Sequence, residues 1–118
     1  MNNLVIGASL KPFRYSNMAS KRLREHGHNV KAIGLCVGEI DDVTIETGKP
    51  NFTEVDTVTM YINPDRQPEY YDYIIGLNPR RVIFNPGTEN SEFQTLLQDK
   101  GIEPIEACTL VMLSTGLY

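Results

Sequence analysis

Short apolar runs alternate along the chain with longer stretches whose apolar residues recur at helical spacing. The apolar runs predict strands at 4–6, 29–33, 56–62, 81–84 and 103–106. The helical spacing predicts helices at 17–26, 68–77 and 91–100, with a further short helix in the apolar tail 109–113. Strand and helix therefore alternate through most of the chain, as they do in proteins with a parallel sheet.

The predicted helices carry residues that are typical of helix starts and ends. Ser16 is expected to cap the first helix, and Gly27 to supply the left-handed residue after its end. Ser91 and Gln94 form a capping-box pair at the start of the third helix, and Gly101 follows its end. These signals agree with the apolar spacing beside them.

The stretch 35–49 interrupts the alternation. Glycines and aspartates punctuate it as turn signals, Val43–Ile45 alternates like a short strand, and no helical spacing is present. We therefore expect an α/β fold, a Rossmann-like three-layer domain with a mostly parallel five-stranded sheet, as a single domain over residues 1–118.

Turns of small residues follow four of the predicted strands. These turns are Gly7-Ala8-Ser9, Ile33-Gly34, Asn63-Pro64 and Asn85-Pro86-Gly87. Right-handed crossovers bring the carboxyl ends of parallel strands to one edge of the sheet, and open α/β sheets bind their ligands at that edge. The four turns are therefore the candidate binding site.

Composition places the protein among globular domains rather than membrane proteins. Hydrophobic residues make up 41% of the chain and charged residues 22%. No apolar run approaches the roughly 20 residues that a membrane span requires, and the N-terminus lacks a signal-peptide pattern. We expect a cytoplasmic protein with no membrane partner.

Charge is distributed unevenly along the chain. The net charge of −4 argues against a general nucleic-acid surface. Residues 1–24 nevertheless contain no Asp or Glu, whereas they include five cations: Lys11, Arg14, Lys21, Arg22 and Arg24. The last three suit a solvated helix face, while Lys11 and Arg14 lie in the predicted loop and indicate a local anion site.

Cysteine and histidine indicate no metal site. Cys36 and Cys108 have neither metal-ligand spacing nor the pattern of a disulfide framework, so we expect reduced thiols. His26 and His28 flank the end of the first predicted helix without a third ligand, which a zinc site would need.

The loop after the first strand is a poor match to the common nucleotide motifs. A dinucleotide site needs a glycine-rich turn and an acidic residue at the end of the second strand, but no acid precedes Glu39 there. A Gly-Lys-Ser/Thr phosphate loop is also absent after the first strand. NAD binding and ATP hydrolysis are therefore disfavoured.

The same loop suits a ligand with more negative charge. Lys11 and Arg14 can pair with phosphate oxygens, while the Ser9 and Ser16 hydroxyls and the helix start add donors. Coenzyme A, which carries a 3′-phosphate and a pyrophosphate, meets this description. Other phosphorylated ligands meet it as well.

Further matches are spread in order over nearly the whole chain. They are VIGAS (5–9), KPFRYSN (11–17), RL (22–23), HGHNV (26–30), VTMYINP (58–64), FNPGTE (84–89) and ACTLVML (107–113). Through them the chain resembles the small stand-alone coenzyme A-binding proteins of Rossmann type, related to the coenzyme A-binding domain of succinyl-CoA synthetase α subunits. It departs from the proline-containing turn that this family often has after the second strand, because residues 33–36 read Ile-Gly-Leu-Cys.

The resemblance implies that the chain binds coenzyme A or an acyl-CoA. Since no nucleophile–base pair is recognisable, we expect a non-catalytic binding or sensing module. The resemblance also implies a phosphate-binding loop and helix start made of Gly7, Ala8, Ser9, Lys11, Pro12, Arg14, Tyr15, Ser16 and Asn17. It implies that Ile33 and Gly34 border the adenine. It also implies that Asn63, Pro64, Asn85, Pro86 and Gly87 guide the pantetheine.

Three alternatives remain open at this point. An NADP-dependent oxidoreductase of Rossmann type could use Lys11 or Arg14 for the 2′-phosphate. The coenzyme A thiol could form a mixed disulfide with Cys36 or Cys108. A homodimer, or a protein partner that supplies catalysis, is also open, since no nucleophile–base pair is recognisable and no catalytic residue is assigned.

Overall fold

A computed structural model describes residues 2–118. The strands are β1 (Asn2–Ala8), β2 (Asn29–Gly34), β3 (Gly38–Ile40), β4 (Val43–Glu46), β5 (Thr57–Met60), β6 (Arg81–Phe84) and β7 (Glu103–Glu106). The α-helices are α1 (Tyr15–Glu25), α2 (Tyr71–Leu77), α3 (Ser91–Asp99) and α4 (Thr109–Thr115), and a 3₁₀ segment (Pro64–Tyr70) leads into α2. The fold is α/β, as the alternating pattern predicts.

All the strands belong to one sheet in the order β3-β4-β2-β1-β5-β6-β7. Each neighbouring pair is parallel except β3 and β4, which form an antiparallel hairpin. The predicted number of five strands is therefore wrong, because the described chain contributes seven. The hairpin occupies the stretch without helical spacing and adds two strands beyond β2.

The two edge strands differ from the central ones in length and composition. β3 has three residues, while β7 has the sequence Glu-Pro-Ile-Glu and pairs only with β6. The central strands β5 and β6 are buried at every position.

The core lies on both faces of the sheet because successive side chains of a strand point to opposite faces. Leu4 and Ile6 of β1 pack on one face with residues of α2 and α3, including Phe93. Val5 packs on the other face with Leu23 of α1 and with α4. Helices thus cover both faces, and β1 is buried in the middle.

Two helix starts differ from the sequence prediction. α1 has Arg14 at its N-cap, with no side-chain cap bond, and Ser16 lies buried in the first turn. α3 is capped by Asn90, whose side-chain oxygen accepts a hydrogen bond from the backbone N–H of Phe93 at 3.1 Å. Asn90 and Ser91 are both good caps, and the chain uses the earlier one.

The predicted helix 68–77 is divided in the structure. Its first residues belong to the 3₁₀ segment, which begins at Pro64, and regular α-helix starts only at Tyr71. Asn63 caps the 3₁₀ segment, since its side-chain oxygen accepts from the N–H of Arg66 at 3.2 Å. The earlier start extends this element toward the carboxyl edge of the sheet. Among residues 2–118, no helix is long and apolar enough to cross a membrane.

Asp56 joins the amino ends of β5 and β6. Its carboxylate accepts hydrogen bonds from Nε of Arg80 at 3.1 Å and from the Thr57 hydroxyl at 2.7 Å, and its carbonyl accepts from the Arg80 N–H at 2.8 Å. The pKa of this carboxyl is lower than its ordinary value, mainly because the Arg80 guanidinium donates a hydrogen bond to it. The ionised form therefore stabilises the fold.

We expect Asp56→Asn to lower the free energy of unfolding at pH 7 by about 1 kcal/mol. Because the pKa is lowered in the folded state, this stabilisation is present above the ordinary pKa of about 4 and is lost as the pH falls through the folded value. Urea unfolding of wild type and variant between pH 2 and 7 measures it. The free energies of unfolding of wild type and Asp56→Asn should converge at acid pH. The control is Asp99→Asn, at an exposed position, and its free energy of unfolding should follow that of wild type. If the two proteins differ in free energy of unfolding by the same amount down to pH 2, the ionised Asp56 carboxylate does not have this role.

Candidate functional site

A cleft of about 740 Å³ lies at the carboxyl edge of the sheet. The ends of β1, β2, β5 and β6 and the start of α1 contribute to it. Its lining residues are Gly7, Ala8, Ser9, Leu10, Lys11, Arg14, Tyr15, Ser16, Ile33, Gly34, Leu35, Cys36, Tyr61, Ile62, Asn63, Arg66, Tyr70, Pro86, Gly87 and Thr88. Both its size and its position are those of ligand sites in open α/β sheets.

Two glycines fix the end of β1 within the cleft. Gly7 has a φ of +96°, and a Cβ there would lie 3.0 Å from the carbonyl carbon of Tyr61. A Cβ on Gly34 of β2 would run into the carbonyl oxygen of Ala8. The β1–β2 register shifts between Ile6 and Ala8, where this close approach occurs. Side chains other than hydrogen are therefore excluded from both positions.

The loop from Ser9 to α1 is held by its own hydrogen bonds. The Ser9 hydroxyl accepts from the N–H of Lys11 at 3.1 Å, and the N–H of Arg14 donates to the Lys11 carbonyl at 3.1 Å. The buried carboxamide of Asn17 donates from Nδ2 to the Ser9 carbonyl at 2.9 Å. Asn17 therefore positions the loop from behind and does not line the cleft.

The start of α1 offers donors that the protein does not use. Within the described residues, the backbone N–H groups of Tyr15 and Ser16 have no acceptor. Lys11 and Arg14 are exposed beside them, and neither forms an ion pair in the part of the chain described. None of the lining residues is an Asp or Glu. The electrostatic character of this end of the cleft therefore favours an anion.

The wall on the β5 side is made by Tyr61, Ile62 and the 3₁₀ segment. The fully buried Gln67 ties this wall to the β6 turn, because its Nε2 donates to the carbonyls of Ile62 at 3.0 Å and Thr88 at 2.8 Å. The Tyr61 hydroxyl is buried without a hydrogen-bond partner among residues 2–118, and burial raises its pKa. Tyr61 is therefore a neutral phenol at physiological pH.

The turn after β6 contributes shape rather than free donors. The Gly87 N–H donates to the Glu89 side chain at 2.9 Å, and the Thr88 N–H donates to the Asn85 carbonyl at 3.0 Å. Pro86 has no N–H at all. The N–H groups of Gly87 and Thr88 are therefore already used within the protein.

Asn85 does not line the cleft and has a structural role instead. Its buried Nδ2 donates to the Thr59 hydroxyl at 2.7 Å and to the Met60 carbonyl at 2.9 Å, and its Oδ1 accepts from the N–H of Thr109 at 2.8 Å. One side chain thus joins β5, β6 and α4 directly behind the cleft.

The structure brings most of the sequence-predicted site residues together. Twelve of the sixteen line the cleft, whereas Pro12, Asn17, Pro64 and Asn85 do not. Lining residues outside the sequence prediction are Leu10, Leu35, Cys36, Tyr61, Ile62, Arg66, Tyr70 and Thr88. Four of them, Leu10, Leu35, Ile62 and Thr88, are immediate neighbours of predicted residues, and Cys36 and Tyr61 are one position further along the same turns. Their closeness to the predicted residues is the signal that could have found them. Arg66 and Tyr70 carry no such signal, since they depend on the 3₁₀ segment.

The two cysteines differ in their relation to the cleft. Cys36 is exposed and lines it, while Cys108 is partly buried and does not line it. His26 and His28 also lie outside the lining residues. No group of three His, Cys, Asp or Glu residues within 2–118 is arranged to hold a metal ion.

A second depression, of about 530 Å³, lies at the opposite edge, where β1 and β2 begin. Its walls carry both charge signs, including the Arg24–Asp42 pair with an N–O distance of 2.7 Å. The amino ends of parallel strands are not where such sheets bind ligands, so the carboxyl-edge cleft is the candidate site.

Comparison with known proteins gives a family match and several structural neighbours. The model of a family described as "CoA binding domain" matches residues 2–114. A crystal structure of an uncharacterized protein superposes with a TM-score of 0.96 at 48% identity, covering 99% of this chain and 97% of that one. No curated protein matches the chain.

Two more distant structures share the fold. A hypothetical protein from Pyrococcus horikoshii OT3 has a TM-score of 0.87 at 23% identity, covering 98% of this chain and 83% of that one. The structure of cell-free ID.343 from Thermus thermophilus has a TM-score of 0.84 at 20% identity, covering 99% of this chain and 90% of that one. At these identities the likeness concerns the fold alone.

Substitution of Gly34 tests the close approach of β1 and β2. We expect Gly34→Ala to lower the free energy of unfolding by about 1–3 kcal/mol, since the new methyl group must displace the Ala8 backbone. Gly76→Ala is the matched control, because a Cβ there meets no atom within 4 Å and alanine favours the helix by up to about 1 kcal/mol. Urea unfolding of both variants measures the difference. Equal stability of the two variants would contradict the constraint.

Proposed function

The chain belongs to the CoA binding domain family, whose model matches residues 2–114, and on that premise we propose that it is a non-catalytic module that holds coenzyme A or an acyl-CoA in the carboxyl-edge cleft. The family supports a general role in coenzyme A binding. The single observation that carries the finer proposal is the unpaired cationic helix start in a cleft lined by no carboxylate.

The phosphates of the ligand are assigned to the start of α1. The unused N–H groups of Tyr15 and Ser16 and the side chains of Lys11 and Arg14 supply hydrogen bonds and positive charge. Gly7, whose φ of +96° other residues rarely adopt, lets the backbone leave β1 close to Tyr61 and turn toward this helix start. This combination supports a ligand with several phosphate charges.

From the helix start, coenzyme A would extend along the cleft in two directions. In sheets of this kind the adenosine extends from the helix start toward the end of the second strand, which here means Gly34 and Leu35. The pantetheine would then extend the other way, past Ile62 and Asn63 toward Pro86 and Gly87. The β6 turn, where Pro86 has no N–H and that of Gly87 is already bonded, suits the less polar pantetheine.

A binding role is favoured over catalysis by the chemistry of the lining. The lining includes hydroxyl, thiol and amine groups, among them Ser9, Cys36 and Thr88, but the described lining includes neither a histidine nor a carboxylate that could activate them. The lining also lacks the acidic residue after the second strand that binds the ribose hydroxyls of NAD. NADP is therefore the appropriate comparator ligand.

Calorimetric titration of wild type with coenzyme A, 3′-dephospho-coenzyme A and NADP tests the proposal. We expect coenzyme A to bind most tightly, and Arg14→Gln to weaken it about tenfold or more through loss of a charge-assisted hydrogen bond. Loss of the 3′-phosphate should also weaken binding. Rising salt should reduce the affinity of wild type more than that of the variant.

Arg22→Gln is the matched control, because Arg22 is exposed on α1 outside the cleft. It should retain wild-type affinity. Failure of coenzyme A to bind, or tighter binding of NADP, would overturn the proposal. Equal affinity of Arg14→Gln and wild type would remove Arg14 from the site.

A further inference from the structure

The loop between β1 and α1, which carries Lys11 and Arg14, is not tied to the neighbouring strands by hydrogen bonds. Within the described chain, residues 9–14 form hydrogen bonds only with one another and with the first turn of α1, as in the bond from Asn17 to the Ser9 carbonyl. These bonds fix the shape of the loop. Its place relative to the strands beyond β1 therefore depends on packing contacts.

Leu10 makes such a contact with the start of β3. A Cβ on Gly38 would lie 2.7 Å from both Cδ1 and Cδ2 of Leu10, so the tip of the leucine side chain lies directly against the glycine backbone. Gly38 does not have a positive φ and belongs to a strand, so its backbone conformation does not require glycine. The reason that the structure gives for glycine at position 38 is the space occupied by Leu10.

The hairpin that contains Gly38 is held by the core. Gly38 pairs with Ile45 of β4, and Ile45 pairs in turn with Ala32 of β2. Ile40, Val43 and Ile45 are buried on the face of the sheet that α1 covers. Leu10 therefore meets a part of the molecule that is fixed by strand pairing and by buried side chains.

The hairpin also contacts the other end of α1, far from the loop. In the last turn of the helix, Arg24 donates from Nε to Oδ1 of Asp42 at 3.0 Å and from a terminal nitrogen to Oδ2 at 2.7 Å. Asp42 lies in the turn between β3 and β4. This ion pair joins the same two elements as the Leu10 contact but does not reach the cleft at the carboxyl edge. It therefore provides a matched control.

We propose that Leu10 and Gly38 are positioning residues for phosphate binding, because their contact holds the loop with Lys11, Arg14 and the start of α1 together at the cleft. A loop that is already held loses less conformational entropy when a ligand binds. The inference rests on the proposed function, since it requires the phosphates of the ligand at the start of α1. It gives the β3–β4 hairpin, which does not line the cleft, a part in ligand affinity.

Calorimetric titration of coenzyme A into Gly38→Ala tests the inference. The added methyl group displaces the tip of Leu10 without lining the cleft, and we expect the affinity to fall about tenfold because the ligand must then order the loop. Leu10→Ala should cause a similar loss. In the Leu10→Ala protein, addition of Gly38→Ala should cost little further affinity, since the side chain that it displaces is absent. Leu10→Met, which preserves the volume, should retain most of the affinity.

Arg14→Gln supplies a readout that a purely structural role would not change. If Gly38→Ala displaces the loop, Arg14 contributes less to binding in that protein, so Arg14→Gln should weaken coenzyme A binding less there than in wild type. Where Gly38→Ala does not fold, the same comparison is made in Leu10→Ala, with the same expected result. The control Asp42→Asn should keep wild-type affinity. Circular dichroism of each variant shows whether the fold is retained.

The outcomes separate the inference from the function on which it rests. Binding of coenzyme A to wild type with unchanged affinity in Gly38→Ala would overturn the inference alone, even if Leu10→Ala binds weakly, because Leu10 would then contact the ligand itself. A loss in Gly38→Ala that persists in the Leu10→Ala protein would also overturn it, as would an equal loss in Asp42→Asn. No binding of coenzyme A to wild type would overturn the proposed function and the inference together.

Discussion

The close packing of β1 against its two neighbours is the constraint on which the rest of the site depends. β1 is the buried middle strand, and its carboxyl end is confined by the β2 backbone on one side and by the chain leaving β5 on the other. The backbones can come this close only because positions 7 and 34 are glycine, which has no Cβ. This allows the backbone to turn away from the sheet and to start α1 with its N–H groups facing the cleft. The shape of the cleft thus follows from the absence of a side chain at these two positions.

The alternation of apolar strands and helices in the sequence is sufficient to predict the α/β class and the edge at which the site lies. Both depend on local periodicity and on the handedness of crossovers, which are general physical rules. The predicted strand number is wrong because Gly38–Ile40 and Val43–Glu46 are short. Such strands are stabilised by their pairing, β4 with β2 and β3 with β4, rather than by their own pattern. Asn85 resembled a ligand residue because it ends a strand. Its three buried hydrogen bonds, which depend on the distant Thr59 and Thr109, are not visible in the sequence.

Two buried amides hold the cleft walls in place. Asn85 joins strands and helix behind the cleft, while Gln67 joins the 3₁₀ segment to the β6 turn. Buried carboxamides with all their bonds satisfied favour one arrangement of the loops, since any other leaves polar groups without partners. The sequence is sufficient to predict glycines and cations that line the cleft, but not these two supporting amides. Arg66 was missed for the same reason, because its place in the cleft depends on where Gln67 fastens the 3₁₀ segment.

The composition of the edge strands also bears on how the protein behaves at high concentration. In β7 the N–H of Glu103 donates inward, to the Arg80 carbonyl just before the start of β6. Backbone groups of successive strand residues point to opposite sides, so Pro104 faces outward. Proline has no N–H to donate to another strand there. The outward side is flanked by glutamates, and at the opposite edge β3 offers only three residues. Neither edge is a good template for another strand, and short, charged or proline-bearing edges are the means by which natural sheets resist aggregation. Continuation of the sheet from one molecule into the next is thus disfavoured at both ends.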